Sequence, residues 1–364
     1  MRTTLLKRFF GLIFCASIII CYSNRAIAQG GIEKFVESGV ENANNLIGGY
    51  VSPFMEGFGT GLGSGWTNTA KTHQTLGFDL QVTVSAAYIP DDDLFYTPAA
   101  SAELSYAPNS PQPSPTVFGP DGQENQPVYE YTVTEEINGQ TVTFSDTFSG
   151  PEGLGLKENL NMQAVPVPMA QIGIGIVKNT DLKVRYAPPV SFDNDQGELK
   201  LIGFAVMHDI KQHIPGIKLA PIDLSVLVGF TDFSVEYSLV EATTNATSGQ
   251  ISTADGRAVY DINNWIVQGL VSKKFSILTL YGGIGYNFIK SEFGLKGTYT
   301  VEDSDTNGEL FTRDFVDPIN ITNNSSGPRV TAGMRLKLAI VTLHADYTVQ
   351  KYNTLTVGFG FAVR

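Results

Sequence analysis

The run Asp303, Asp305, Asn307 and Gly308, followed by Leu310 and Asp314, matches the first half of a calcium loop. Oxygen-bearing side chains at alternating positions around a glycine turn can wrap one hard cation. Asp303, Asp305, Asn307 and Asp314 are therefore metal-ligand candidates, and calcium is the one cofactor the chain suggests. Asp314 stands where a calcium loop has Glu, the flanks read as strands, and Asp-Asn-Gly is also ordinary turn chemistry. The histidines are His73, His208, His213 and His344. His208 and His213 sit five residues apart, which on a strand puts them on opposite faces and argues against a shared metal. A hydrolase built on His344 would need a serine and an orienting residue at the same height on neighbouring strands, and nothing marks them. Glycine-rich phosphate loops, a G-x-S-x-G elbow and an H-E-x-x-H helix are missing. No catalytic residue is assigned, and the chain reads as a non-enzyme.

A second group of polar residues is defined by period rather than by motif. Asp79, Lys183, Arg185, Arg335, Lys337, His344 and Asp346 each alternate with apolar neighbours. At the end of the chain Leu355, Val357, Phe359, Phe361 and Val363 alternate with Thr354, Thr356, Gly358, Gly360 and Ala362. A period of two means a strand with one apolar face. The pattern recurs in Leu343–Gln350, Val330–Leu338, Phe78–Tyr88, Ile172–Ile176, Leu182–Tyr186, Ile222–Phe230 and Leu278–Phe288. A soluble sandwich would turn the apolar face inward. A membrane barrel turns it to lipid and leaves the polar face to a wet lumen. Runs of about ten residues, charges on the polar face and aromatics near strand ends favour the barrel. The expectation is an all-β, antiparallel transmembrane β-barrel of about 14 strands, with the seven polar residues facing the lumen.

The chain's beginning sets the compartment. Arg2, Lys7 and Arg8, the apolar run Phe9–Ile20 and Ala26-Ile27-Ala28 make a signal peptide over residues 1–28, with mature chain from Gln29. A lipoprotein signal at Cys21 is the rival, but Ile20 is not the small residue that it needs. Cleavage removes both cysteines, Cys15 and Cys21, and with them any disulfide. It also removes four cations and no acid, taking the formal charge from −12 to −16. That acidity and the lack of a basic patch exclude nucleic acid as a partner; outer-membrane lipid is the expected one. No later apolar run is long enough for a spanning helix, so a membrane form must be a closed barrel.

Residues 29–75 form a separate N-terminal unit ahead of a barrel at 76–364. Gly31–Gly49 has helical spacing of Ile32, Phe35, Val36, Val40, Ala43, Leu46 and Ile47, and a Gly-rich run, Gly57–Gly65, ends at Trp66. Such a helix can plug the lumen, cap the lower opening or lie on the membrane. Pro90–Pro127, Leu239–Arg257 and Glu302–Ser326 read as long outer loops, the last with a short hairpin inside.

Gly59–Lys71 (GTGLGSGWTNTAK), Gly77-Phe78-Asp79-Leu80, Pro166–Gly173 (PVPMAQIG) and Met207–Gln212 (MHDIKQ) resemble an uncharacterised outer-membrane family common in Bacteroidetes. That family looks distantly similar to long-chain fatty acid transporters, barrels with an N-terminal hatch that pass hydrophobic molecules sideways into the membrane. Their Asn-Pro-Ala hatch motif is missing here, the nearest run being Asn68-Thr69-Ala70, and no ligand-contact residue carries over. The resemblance implies passage of small or hydrophobic molecules across a Gram-negative outer membrane, with a small hydrophobic ligand as partner. The alternative is a structural or surface-binding barrel acting through its loops.

Overall fold

The computed structural model describes residues 32–363, apart from 100, 138, 194, 240–243 and 246–249. The expected signal peptide, residues 1–28, lies outside the described residues. Two helices, α1 (Ile32–Glu37) and α2 (Val40–Leu62), precede the wall. The wall strands are β1 (Phe78–Tyr88), β2 (Ala164–Ile176), β3 (Thr180–Phe192), β4 (Gly197–Asp209) and β5 (Asp223–Ser238). They continue as β6 (Arg257–Phe275), β7 (Leu278–Lys296), β8 (Ile319–Leu338), β9 (Val341–Val349) and β10 (Thr354–Val363). Each pairs antiparallel with its sequence neighbours, and β1 closes on β10 from Phe78↔Val363 to Ala87↔Thr354. The result is an up-and-down barrel whose strand order closes on itself.

The wall has ten strands where about 14 were expected. Two things consume the difference. Strands β6, β7 and β8 run to 19, 19 and 20 residues, about twice what a tilted strand needs to cross a bilayer. The long loops also fold. Short strands at Leu104–Tyr106, Val128–Ile137 and Gln140–Ser149 form one sheet; those at Thr244–Asn245, Gln250–Thr253, Thr298–Ser304 and Leu310–Val316 form another. With α1 they enclose a core of Phe35, Leu46, Tyr129, Tyr131, Phe144, Tyr299 and Val301. This cap replaces the loose loops that the sequence suggested, and β8 starts within the stretch read as the third loop.

The sense of the alternation decides between barrel and sandwich. Leu80, Ile284 and Phe359 are 47, 70 and 50% exposed, whereas Asp79, Lys183 and Asp346 are 6, 4 and 5% exposed. Apolar residues face out and charges face in, the reverse of a soluble protein. No helix among the described residues is long and apolar enough to cross a membrane.

The helix read over Gly31–Gly49 extends into the Gly-rich run, as far as Leu62. Helix α2 continues to Leu62 and is buried from Met55 onward. A Cβ on Gly57, Gly59 or Gly61 would lie 2.7, 2.5 and 2.5 Å from Val165 Cγ2, Ile289 Cγ2 and Val167 Cγ2. Glycine costs about 1 kcal/mol of helix propensity per residue. Here it lets the helix lie against the inner wall, and packing overrides propensity.

Candidate functional site

Helix α2 and the segment to Gly77 fill the lumen, and the wall's polar face holds them. The last carbonyls of a helix have no partners of their own and carry partial negative charge. Here two arginines meet them. Arg185, fully buried, donates from Nη1 to Leu62 O (2.7 Å) and from Nη2 to Ser64 O (2.6 Å). Its Nε donates to Gln171 Oε1 (3.1 Å), and its guanidinium lies 3.7 Å from the centre of the Trp66 ring. Arg329 Nη1 donates to Gly63 O (2.8 Å). Asn264 Nδ2 reaches Gly59 O (3.0 Å), and Gln171 Nε2 reaches Trp66 O (3.0 Å). On the helix itself, Glu56 accepts from Ser325 Oγ (2.7 Å) and pairs with Lys351 (3.0 Å).

Below the helix the chain is fastened to the inner rim. Arg335 donates to Asn68 Oδ1 (3.0 Å), and Asn68 donates to Gln81 Oε1 (2.9 Å). Ser272 Oγ accepts from Ala70 N (3.1 Å), and Ser225 donates to Ala70 O. Asp181 accepts from His73 N (2.8 Å) and meets His73 Nδ1 at 2.8 Å. Tyr281 donates to Asp346 (2.8 Å), and Lys337 donates to Ala362 O (2.9 Å) at the rim. The buried acids Glu56, Asp79, Asp181 and Asp346 are matched in number by the buried bases Lys183, Arg185, Arg329 and Arg335. The lumen therefore lacks the acid excess of the chain as a whole.

Of the polar residues read from the alternation, Asp79, Lys183, Arg185, Arg335, His344 and Asp346 are buried on the inner face, and Lys337 is half-buried. Arg185 and Arg335 grip the plug. The ring of His344 lies against Gly358, whose added Cβ would fall 2.5 Å from Cε1. Its ring nitrogens meet no hydrogen-bond partner among the described residues. Asp181 and Arg329 were missed. Both have the parity of residues already chosen (Lys183 and Arg335), so extending those two strands would have found them.

The calcium candidate resolves into a hairpin. Asp305 caps its turn, accepting from Asn307 N (2.9 Å) and Glu309 N (2.8 Å). Asp314 lies on the returning strand and accepts from Thr300 Oγ1 (2.7 Å), while Asp303 pairs with Phe311. Strand pairing separates Asp303, Asn307 and Asp314 rather than wrapping them around one point. Among the described residues no three His, Cys, Asp or Glu are placed to hold a metal. The opposite-face reading of His208 and His213 is also corrected. The chain leaves β4 at Asp209 into a tight turn over Lys211–His213, and the two Nε2 atoms come within 3.0 Å.

One part of the wall is not zipped. Strands β2 and β3 have 13 residues each but pair only from Ile176↔Thr180 to Gln171↔Arg185, whereas β1 and β2 pair from Phe78↔Ile174 to Tyr88↔Ala164. The amide of Gly175 points at β1, donating to Gly77 O (2.8 Å), so even-numbered β2 amides point at β3. Asn179 O accepts from Asp209 N of β4 (3.0 Å), so even-numbered β3 amides point at β2. Continued in register, Pro168 would oppose Pro188, and Pro166 would oppose Val190. Proline has no N–H, so Pro166, Pro168 and Pro188 offer no donors across the seam. A bulge between Ala187 and Val190 shifts the other edge of β3 as well. Inside the seam lie Val165, Val167 and Met169, in one apolar cluster with Phe58 and Leu62 of α2 and with Leu199, Leu201 and Phe233. Tyr186 and Pro188 are exposed outside it.

The Family of unknown function (DUF6588) matches residues 4–363. No curated protein matches the chain. Among solved structures, the attachment invasion locus protein Ail of Yersinia pestis is 9% identical, with 79% of this chain and 99% of that one covered and a TM-score of 0.24. The translocator domain of the autotransporter NalP from Neisseria meningitidis is 11% identical, with 80 and 90% covered and a TM-score of 0.26. The outer membrane transporter YddB from Escherichia coli is 11% identical, with 79 and 41% covered and a TM-score of 0.28. Likenesses this distant carry no functional argument.

Proposed function

The chain belongs to that family of unknown function, and from its own geometry we propose that it is an outer-membrane barrel passing small apolar molecules between its lumen and the surrounding lipid. The open seam between β2 and β3 carries the reading. An axial route is filled by α2, whose end is fastened by Arg185 and Arg329. The seam leads instead from an apolar cluster to an apolar outer wall. An apolar solute on that path gains burial at both ends. The outward apolar belt and the closed wall support a place in the outer membrane.

The test restores the missing donors. In Pro168→Val/Pro188→Val the two strands regain the N–H groups that face each other, and the seam can zip. Cells producing the native protein are expected to take up N-phenyl-1-naphthylamine faster than cells without it, and the variant to lose most of that gain. Equal uptake by native and variant protein, both folded by gel mobility, overturns the seam as the route.

A further inference from the structure

We infer that α1 and the start of α2 lie on the outer surface, and that the chain runs inward from there through the closed wall to β1. The inference rests on the outer-membrane reading, because orientation comes from it. In such barrels the short turns face the periplasm and the long connections face out. Here the turns β2–β3, β6–β7 and β8–β9 span residues 177–179, 276–277 and 339–340, and all are at one end with Phe78 and Val363. Connections 89–163, 239–256 and 297–318 are at the other, with the short 193–196 and 350–353; the 13-residue connection 210–222 is the longest at the turn end.

The path of the plug can be followed down β1. Gly57 is beside Ile89, Gly61 beside Ser85 and Gly65 beside Thr83. Asn68 then bonds to Gln81, and His73 lies 4.0 Å from Asp79. Rising plug numbers meet falling β1 numbers, so the segment descends from the loop end to the turn end. At its top α1 belongs to the cap. Phe35 packs edge-on against Phe148 at 5.4 Å, Lys34 pairs with Asp146 (2.9 Å), and Tyr131 donates to Glu37 (3.2 Å). All three partners lie in the β1–β2 connection. Ten strands surround the segment below. An exported chain reaches the outer membrane from the periplasm, so this stretch must be drawn through the ring before or while it closes. The plug is then accessible at its N-terminal end to molecules outside the cell, and pinned at its other end by His73 and Asp181.

Single cysteines test this, since residues 29–364 contain none. A large, membrane-impermeant PEG-maleimide is added to intact cells and to cells with a permeabilised outer membrane. Leu310→Cys, 77% exposed in the outer hairpin, and Leu219→Cys, 94% exposed at the turn end, calibrate the two sides. Val40→Cys, 43% exposed, is expected to label in intact cells with Leu310→Cys. Lys71→Cys, exposed at the lower end of the plug, is expected to label only after permeabilisation, with Leu219→Cys. Glu41→Cys, exposed next to Val40, repeats the outer measurement if Val40→Cys fails to fold. Protection of both outer plug positions while Leu310→Cys labels overturns the threading alone. Labelling of Leu219→Cys in intact cells with Leu310→Cys protected overturns the orientation, and with it the outer-membrane reading.

Discussion

Alanine in place of glycine stabilises most helix interiors by about 1 kcal/mol. At Gly59 the expected sign is the opposite. The new Cβ would stand 2.5 Å from Ile289 Cγ2, a distance that nothing tolerates without movement. Ile289 is buried and β-branched on β7, and its χ1 is stiff. Overpacking of this kind costs about 1–3 kcal/mol, so the propensity gain is cancelled or exceeded, and Gly59→Ala should destabilise by up to about 2 kcal/mol. Ile289→Ala removes the clashing methyl and leaves Ile289 Cβ at 3.6 Å, an ordinary contact. Alone it should cost about 2–5 kcal/mol as a cavity. Added to that background, Gly59→Ala should stabilise by about 1 kcal/mol or more, since propensity and filled space now act together. The pair should therefore couple by about 1–3 kcal/mol. Urea unfolding in bilayers, followed by gel mobility and by Trp66 fluorescence in a Trp265→Phe background, reads all four corners of the cycle. Stabilisation by Gly59→Ala in the native background, or additivity of the pair, would refute close packing of α2 on the wall.

Two further outcomes follow from the plug and the hairpin. Arg185→Lys should destabilise by about 2–4 kcal/mol in the same unfolding assay, because an ammonium cannot hold Leu62 O and Ser64 O together while stacking on Trp66; a change below 0.5 kcal/mol, on the order of an exposed substitution, contradicts the clamp. Calcium or EDTA should leave the melting midpoint where it is, since Asp305 and Asp314 are engaged within the hairpin; a calcium-dependent rise restores the metal reading.

The sequence by itself determined the class of wall. Alternation such as Leu355 to Val363 against Thr354 to Ala362 is a local property of a pleated strand. Charges on one face and aliphatics on the other chose lipid as the outer solvent, and the polar residues of β1, β3, β8 and β9 could be read off by parity. Tertiary structure decided the rest. Ten strands rather than about 14 followed from the 19 to 20 residues of β6 to β8, and periodicity does not mark how long a strand runs. The Gly-rich run is a helix only because it lies against Val165, Val167 and Ile289, contacts far apart in the chain. Four residues that read as a calcium loop are separated by the pairing of two loop strands. Pro166, Pro168 and Pro188 were visible from the start, but only the register shows that Pro168 and Pro188 would meet across one seam. Local rules set each strand's two faces; which faces meet, and what fills the space between them, depends on long-range pairing that no single segment encodes.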